Sequence, residues 1–393
     1  MAPHPPSALV IGGGLAGSAA ACLLSRAGHS VHLIEKESGP HHKVCGEFLS
    51  IEAAAHLQEL GVDPLALGGV PIERIRLVRA GSARVAEAAL PFGALGLSRH
   101  VLDEALIARA QAAGARVERG LRVSRLEGTR AVTSLGEATG EMVLLATGKL
   151  PIREGTTPPP RPPDAFVGFK MHYRLAPTAM RRLRGVILLA LLSGGYAGLQ
   201  MVEDGRANLC LVIRQSRLAD LGGNWEGLRE WLCEAPEMAA LLHDAEPLFA
   251  RPVSIGNLAY GTLAGQPMDE RVLRLGDRWA MTASLTGDGM AIALRSAFVA
   301  ARCVDAGRGA SAYHAELTRH AGGQIRRAMA MQNLLAAPGI GALACRIAAA
   351  FPAGLRLAAR ATRLPEWQAE YLAEYQVGRH PELAEPGYDT QRR

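Results

Sequence analysis

The chain has 393 residues, of which 49% are hydrophobic and 20% charged, so it is long enough for two domains or for one large domain with an inserted lobe. Its 43 basic and 37 acidic residues leave a formal charge of +6, but the basic residues are spread along the chain. With few aromatic residues and no basic stripe, the composition disfavours nucleic-acid binding and favours an anionic cofactor, an anionic substrate or a membrane surface.

The six cysteines show neither CxxC spacing nor a regular framework, which is typical of a reducing compartment. No signal-peptide pattern precedes the first apolar run, so a cytoplasmic protein is expected. The uncharged stretch from Gly185 to Val202 contains four glycines, and these favour paired strands over a membrane-spanning helix.

The first strong pattern is a short apolar run, Ala8 to Ile11, followed by Gly12, Gly14 and Gly17 at GxGxxG spacing. The alanine- and leucine-rich run from Leu15 to Ala27 predicts a helix directly after this turn. In such a unit the first glycine makes the turn, the second admits a pyrophosphate, and the third lets the helix pack on the strand. The free amides at the helix N-terminus then bind the diphosphate.

A second apolar run, Val31 to Ile34, predicts a strand that ends at Glu35. A carboxylate at this place can bind the ribose hydroxyls of an adenosine, and it would repel a 2′-phosphate. Strand, glycine turn, helix, strand and acid therefore predict a site for FAD or NAD rather than NADP.

The segment from Val272 to Val304 resembles the second FAD motif of the flavoprotein hydroxylase and geranylgeranyl reductase superfamily. It contains a strand leading into Gly276-Asp277, then Gly287, Asp288 and Gly289, and an apolar helix from about Met290. By this resemblance the cofactor is FAD, Asp277 binds the ribityl chain, and the helix start faces the flavin pyrimidine. The positive end of a helix also favours the negative charge of a reduced flavin.

Two further segments resemble the same superfamily. Arg99 opens the predicted helix within Leu97 to Val117, which implies a position near the FAD phosphates, and Ala146-Thr147-Gly148 ends a buried strand expected beneath FAD. Two departures reduce the likeness to hydroxylases. Lys149-Leu150-Pro151 replaces their Asp-Gly motif after this strand, and Thr282, Ala283 and Ser284 stand where they have a proline.

The polar decapeptide HHKVCGEFLS, His41 to Ser50, fills the predicted loop between the second strand and a helix from Ile51 to Leu60. Its Cys45-Gly46 pair resembles a pair in the geranylgeranyl reductase branch, which implies that Gly46 approaches the isoalloxazine. The resemblance places Lys43 near phosphate or ribityl oxygens.

The chemical roles of Cys45, Glu47 and the two histidines in this loop are considered in turn. The Cys45 thiol could donate a proton, contact substrate or only fill space. Glu47 is a general acid only if burial raises its pKa toward neutrality. His41 and His42 are adjacent and cannot easily share one ion, so no metal site is predicted.

The middle of the chain predicts strands at Ala165 to Leu175, Gly185 to Ile213 and Pro252 to Tyr260, which together form an antiparallel sheet over the flavin. Tyr196 either lines the substrate pocket or packs across strands. The segment from Arg346 to Arg363 is amphipathic and fits either an anionic bilayer or the protein's own surface.

The predicted fold class is α/β: a Rossmann-like FAD-binding domain, an antiparallel β-sheet substrate domain and a helical C-terminal region. The predicted boundaries are 1–152 with 265–330 for the FAD-binding domain, 165–264 for the substrate domain, 331–378 for the helical region and 379–393 for a polar tail. A proline-rich link, Arg153 to Asp164, joins the two domains.

The predicted function is an FAD-dependent oxidoreductase that transfers hydride from flavin N5 to a double bond of a lipophilic or polyketide-like substrate, with NAD(P)H as transient electron donor. A monooxygenase acting on an aromatic or polyketide substrate and a non-catalytic flavin-binding protein are the alternatives. The candidate catalytic residues are Cys45, Glu47 and Tyr196. The predicted FAD-binding residues are Gly12, Gly14, Leu15, Ala16, Gly17, Glu35, Lys36, Lys43, Cys45, Gly46, Arg99, Ala146, Thr147, Gly148, Gly276, Asp277, Gly287, Asp288, Gly289 and Met290.

Overall fold

A computed structural model describes residues 7–150, 152–154, 163–267, 269–336, 340–361 and 363. In chain order its strands are β1 (Ala8–Ile11), β2 (Val31–Glu35), β3 (Phe48–Ser50), β4 (Val70–Arg79), β5 (Ser82–Gly96), β6 (Arg116–Arg119), β7 (Val123–Glu127), β8 (Arg130–Thr133), β9 (Gly136–Thr139), β10 (Met142–Leu145), β11 (Arg153–Glu154), β12 (Phe166–Arg174), β13 (Gly185–Leu192), β14 (Gly195–Val202), β15 (Arg206–Arg214), β16 (Glu246–Pro247), β17 (Val253–Leu258) and β18 (Val272–Arg274). Its α-helices are α1 (Leu15–Arg26), α2 (Ile51–Glu59), α3 (Arg99–Ala112), α4 (Pro177–Leu183), α5 (Gln215–Asp220), α6 (Trp225–Cys233), α7 (Pro236–Leu242), α8 (Gly289–Asp305), α9 (Ala310–Ala336), α10 (Ile340–Ala350) and α11 (Pro352–Ala361).

A five-stranded parallel sheet in the order β18-β10-β1-β2-β6 forms the first layer. Its central strands β1 and β10 are apolar on both faces, as expected for strands covered on both sides, whereas the edge strand β6 is mostly charged. Val10, Leu33 and Leu144 face the helical side, where α1, α3 and α8 pack together. Leu9 and Val143 share a second cluster with residues of β7, in the four-stranded sheet β11-β7-β8-β9. The two glycine motifs follow β1 and β18, which are parallel and have only β10 between them, so both motifs lie at the same end of this sheet.

The second layer is a nine-stranded sheet, β16-β12-β15-β14-β13-β4-β5-β3, with β17 paired to β12. It differs from the predicted antiparallel sheet because β13 pairs with β4 in parallel, and because β3, β4 and β5 come from the N-terminal part of the chain. The stretch Gly185 to Val202 forms the antiparallel pair β13 and β14, as its glycines predicted. The predicted domain boundaries stay a prediction.

The bounds of three predicted segments can now be given from the structure. The helix expected within Leu97 to Val117 begins at Arg99, where the Ser98 hydroxyl accepts from the Val101 amide at 3.3 Å, and it ends at Ala112 before β6. The decapeptide is not a loop throughout, since its last three residues form β3. Ser50 is the N-cap residue of α2, but its side chain makes no capping hydrogen bond.

The C-terminal helices α10 and α11 pack against β5 and complete the predicted helical region as far as Ala361. The polar tail and most of the proline-rich link lie outside the described residues. Within the described part of the chain, no helix has both the length and the apolar character needed to cross a bilayer. Taken together, the layers confirm the predicted α/β fold class.

Candidate cofactor site and substrate cavity

A cavity of about 1330 Å³ lies between the two sheets and under the C-terminal helices. The predicted FAD-binding residues line it from both glycine motifs, except for Gly17 and Asp288, which lie behind its wall. The three candidate catalytic residues Cys45, Glu47 and Tyr196 also belong to the lining. Segments far apart in the chain are thus brought to one cavity, and the individual roles assigned to these residues stay predictions.

The first glycine turn is close-packed in the way a dinucleotide turn requires. Gly12 has φ +110°, and a Cβ there would collide with the carbonyl oxygen of Ala146. A Cβ at Gly17 would overlap the carbonyl oxygen of Gly12, so this glycine serves helix–strand contact rather than the cavity. Gly14 is the N-cap of α1 and offers no side chain to its amides, and no acidic residue lies in the first turn. The helix end is therefore open to an anion.

Two cations converge on this turn. An ideal Cβ on Gly14 would lie 3.3 Å from Nη2 of Arg99 and 3.6 Å from Nζ of Lys43. Both side chains are held by Asp103, with Arg99 Nε at 2.7 Å and Lys43 Nζ at 2.8 Å from its carboxylate oxygens. Burial alone would raise the pKa of Asp103, but Arg99 and Lys43 hold it below its usual range. The cluster keeps a net positive charge beside the turn, which fits a diphosphate.

Asp103 was missed in the sequence, although a signal existed. It stands four residues after Arg99 in α3, and an acid and a base at this spacing share one helix face. The role of Arg99 was predicted from resemblance to a family. The four-residue spacing between Arg99 and Asp103 would have identified Asp103 as its partner.

The ribose end of the turn is organised by Glu35. Its buried carboxylate accepts hydrogen bonds from the amides of Gly13 at 2.6 Å and Glu37 at 2.9 Å. These bonds fix the acid against the glycine turn, while binding to a ribose stays a prediction. Just after the neighbouring return strand β10, Thr147 lines the cavity, and its buried hydroxyl has no hydrogen-bond partner among the described residues. A polar ligand in the cavity would satisfy it, so these residues fit a dinucleotide.

The second glycine motif is equally close-packed. Gly287 is left-handed with φ +74°, and a Cβ there would stand 2.7 Å from the ring of Phe48. The N-terminus of α8 follows at Gly289 and opens onto the cavity. Asp288 instead points away and forms an ion pair with Arg363, whose Nη2 also donates to the Thr286 carbonyl at 2.6 Å. Burial raises the pKa of Asp288 to about 6, although Arg363 opposes that shift.

Glu47 anchors the decapeptide loop to the neighbouring elements. Its side chain is completely buried and forms an ion pair with Lys170, while His172 Nε2 lies 2.8 Å from its other oxygen. The Arg99 amide donates to the carboxylate at 2.8 Å, and Gln200 Nε2 donates to its backbone carbonyl at 2.8 Å. The loop is thereby tied to β12, β14 and α3.

The condition set for Glu47 as a general acid is not met. Burial would raise its pKa, but Lys170 and His172 lower it below its usual range, so the carboxylate stays ionised. The sequence contained part of this information, since Lys170 and His172 alternate on one strand and therefore face the same side. Their partner lies over a hundred residues away, which no local pattern predicts.

Histidines surround this ion pair. The ring of His42 stacks on His100 at 4.7 Å between centroids and meets His172 edge-on at 5.0 Å. Burial and the nearby Lys170 lower the pKa of His42 to about 3, so it is neutral. Among the described residues, ligand atoms of His42, Glu47 and His172 lie within 4.8 Å of one another, a grouping the sequence did not predict. Lys170 already supplies a counter-charge to Glu47, and the arrangement does not require an ion.

Cys45, Gly46 and Lys149 line the cavity between its two ends. The carbonyl oxygens of Cys45 and Gly46 accept from Asn208 Nδ2 at 3.1 and 2.8 Å, which holds the loop against β15. Lys149 Nζ donates to the Val44 carbonyl at 3.0 Å. Burial would lower the pKa of Lys149, but the Asp277 carboxylate raises it above its usual range, so Lys149 is a cation. A fixed positive charge therefore stands where the sequence departs from the hydroxylase pattern.

The other half of the cavity is apolar. Side chains of β4, β5, β13 and the C-terminal helices form its walls, and the lining there includes Leu77, Phe92, Ile187, Leu189, Leu285 and Leu355. One hydroxyl cluster interrupts this surface: Ser284 Oγ is hydrogen-bonded to the Tyr196 hydroxyl and donates to the Tyr260 hydroxyl at 2.9 Å. Burial raises the pKa of both tyrosines, that of Tyr260 to about 12, so both keep their protons.

Comparison with known proteins agrees with this geometry. Residues 6–141 match the family described as FAD binding domain. No curated protein matches the chain by sequence. The match covers both the glycine turn and Arg99, and it supports FAD as the cofactor.

Solved structures with the same fold extend the likeness to nearly the whole chain. The flavin-dependent brominase Bmp2 is 17% identical, with a TM-score of 0.71 over 95% of this chain and 92% of its own. The myxobacterial chondrochloren halogenase CndH is 18% identical, with a TM-score of 0.67 over 81% and 79%. The protein pqsL of Pseudomonas aeruginosa, a probable FAD-dependent monooxygenase, is 17% identical, with a TM-score of 0.65 over 85% and 96%. The chain therefore has the fold of FAD-binding flavoproteins.

Proposed function

We propose that the protein is an FAD-dependent monooxygenase that hydroxylates an apolar substrate bearing a hydroxyl or carbonyl group, such as a phenol or a polyketide. The observation that carries this proposal is the continuity of the cavity. Its charged half fits a dinucleotide, and its apolar half opens directly from the region beside Lys149 and Cys45. FAD, once bound and reduced, supplies the oxygen activation that a monooxygenase needs.

The chain's own residues have separate tasks in this reaction. Lys43, Arg99 and the N-terminus of α1 bind the diphosphate. Lys149 and the N-terminus of α8 stabilise negative charge at the flavin end of the cavity. Tyr196 donates its proton to Ser284, and Ser284 donates to Tyr260. The Tyr196 oxygen therefore accepts a hydrogen bond from a substrate hydroxyl, and the Tyr260 hydroxyl donates to a substrate carbonyl, while the apolar walls exclude water.

The monooxygenase replaces hydride transfer to a double bond as the leading hypothesis for two reasons. First, hydride transfer needs a proton donor beside the flavin, and Glu47, one of two donors proposed from the sequence, is held ionised. Second, the three similar structures named above are a brominase, a halogenase and a probable monooxygenase. The likeness to the geranylgeranyl reductase branch, drawn from Cys45-Gly46, stays a prediction, and NAD(P)H as transient electron donor remains part of the proposal.

The test begins with the purified protein loaded with FAD. It is reduced without oxygen by NADH, NADPH or dithionite, then mixed with oxygenated buffer and a panel of alkylated phenols. We expect product that carries one oxygen atom from ¹⁸O₂. Substrate consumed in the anaerobic step would indicate a reductase, and product that forms only with added halide would indicate a halogenase. A protein that binds no FAD, or whose FAD no donor reduces, would contradict the proposal.

A further inference from the structure

The outer faces of α10 and α11 carry large apolar side chains that the fold leaves in solvent. The inner faces pack on the apolar wall of the cavity through Cys345, Ala348 and Leu355. On the outside, Leu343 is 56% exposed, and Phe351 and Leu357 are each 68% exposed. A helix that packs only on its own protein would be polar there.

This exposure is concentrated rather than scattered. Nine large apolar side chains are exposed among the described residues, and five of them lie between residues 334 and 357. Single exposed apolar residues are ordinary, whereas a contiguous patch marks a contact with another apolar phase.

The same patch forms the mouth of the cavity. Leu334 and Ile347 are each 52% exposed, and both also line the cavity. An apolar molecule held against the patch therefore meets apolar lining on its way to Tyr196. The mouth of the cavity thus opens onto a surface patch that is apolar, as is the cavity behind it.

Charge selects the occupant of this surface. From Ile340 to Ala361 the chain has three arginines and no acidic residue, and Arg346 and Arg356 are exposed beside the apolar side chains. Arginines flanking an apolar helix face reach the headgroups of anionic lipids while the face enters the acyl boundary. A second copy of the chain, meeting this patch about a two-fold axis, would place like charges together.

We propose that the outer face of α10 and α11 docks on an anionic lipid bilayer, and that a bilayer-dissolved substrate enters the cavity between Leu334 and Ile347. The docking itself depends only on the exposed patch, while the passage of substrate rests on the proposed function. Lipophilic substrates partition into bilayers, so a mouth that rests there draws on a concentrated pool.

The decisive experiment measures sedimentation of the full chain, loaded with FAD, with vesicles of phosphatidylglycerol and phosphatidylcholine or of phosphatidylcholine alone. We expect binding to the anionic vesicles and at least tenfold weaker binding for Phe351→Glu/Leu357→Glu. Reversing the charge in Arg346→Glu/Arg356→Glu should weaken binding about tenfold or more and remove the preference for anionic lipid. The control is Leu135→Glu, since the Leu135 side chain is 84% exposed in the turn between β8 and β9. This variant should bind vesicles as the unaltered protein does.

Each proposal can fail without the other. None of the five substituted residues, the control Leu135 included, lines the cavity, so FAD affinity and turnover of a short, water-soluble phenol should stay unchanged in the variants. Vesicle binding without any turnover would contradict only the proposed function. Turnover with no vesicle binding, or variants that bind vesicles as the unaltered protein does, would overturn docking.

Docking on a bilayer would also be overturned if the patch were covered by another part of the same chain or by a second copy of the chain. A photoreactive phenylalanine analogue at position 351 should react with lipid when vesicles are present. Reaction with residues 364–393 of the same chain would mean that the chain covers its own patch. A dimer in solution that Phe351→Glu/Leu357→Glu dissociates would mean that a second copy does.

Discussion

The two ends of the cavity are held together by different forces. At the nucleotide end, charged groups are buried in matched sets: Asp103 between Lys43 and Arg99, and Glu47 between Lys170 and His172. At the substrate end the walls are apolar side chains from β4, β5, β13 and the C-terminal helices, and the hydroxyl cluster of Ser284, Tyr196 and Tyr260 lies among them.

This difference has a physical consequence. A buried charge left without its partner costs several kcal/mol, so the nucleotide end tolerates almost no change. An apolar wall can exchange side chains of similar volume at small cost. We therefore expect changes at the nucleotide end to alter stability and FAD affinity, and changes at the substrate end to alter substrate binding alone.

The largest effect is expected from Glu47→Gln. Lys170 is completely buried and would lose its counter-charge, so the free energy of unfolding should fall by about 3–5 kcal/mol, measured by urea denaturation. The exposed pair of Arg174 and Glu246 supplies the control, and Glu246→Gln should change stability by at most about 0.5 kcal/mol. Partial recovery of the free energy of unfolding in Glu47→Gln/Lys170→Met would identify the unpaired ammonium as the cause. A loss below about 1 kcal/mol in Glu47→Gln would contradict the distinction between the two ends of the cavity.

The same residue predicts a pH dependence. The folded pKa of Glu47 is lowered from an ordinary value of 4.5, so its contribution to stability is present above that value and is lost as the pH falls below it. The stability difference between the unaltered protein and Glu47→Gln should therefore shrink on acidification. Unfolding curves recorded between pH 7 and pH 3 would show this, and a difference that grows toward low pH would contradict it.

Arg99→Met should act on the cofactor. Removing a charge-assisted hydrogen bond costs about 1.5–3 kcal/mol, so the Kd for FAD should rise roughly 10- to 100-fold in fluorescence titration. Arg99→Lys retains the charge and should lose less. Arg116, with a side chain 74% exposed, provides the control Arg116→Met with unchanged affinity. Equal affinity in Arg99→Met would move the diphosphate away from this turn.

Lys149→Met should act at the boundary between the two ends. Its ammonium is a fixed positive charge in the cavity, so its removal should make the midpoint potential of bound FAD more negative, by roughly 30 mV for a change of about 1.4 kcal/mol. Spectroelectrochemical titration measures this value. An unchanged potential would show that Lys149 does not sense the charge of the reduced cofactor.

The smallest effect is expected from Tyr196→Phe, which removes one hydroxyl at the substrate end. A neutral hydrogen bond contributes about 0.5–1.5 kcal/mol, so KM for a phenolic substrate should rise roughly 2- to 10-fold. The Kd for FAD should not change, and a substrate analogue without the hydroxyl should be insensitive. A higher Kd for FAD in this variant would contradict the separation of the nucleotide end from the substrate end.

Much of the nucleotide end was predictable from sequence because its signals are local. The GxGxxG spacing, the helix after it and Glu35 on the next strand are separated by fewer residues than one strand–helix–strand unit contains, and backbone sterics fix their geometry. The position of α10 and α11 over the cavity, by contrast, could not be predicted, since amphipathic helices fit a bilayer and a protein surface equally well.

The sequence by itself thus determined the strand–turn–helix–strand unit of the Rossmann-like domain, both glycine turns and the paired strands after Gly185. Only the tertiary structure decided that β3, β4 and β5 join the second sheet, that Lys170 and His172 meet Glu47, and that Ser284 joins Tyr196 to Tyr260. The physical reason is the range of the interactions. Turns and helix starts are set by neighbouring residues, whereas buried charges and hydroxyls find partners that are distant in the chain, and desolvation makes each of these pairings obligatory.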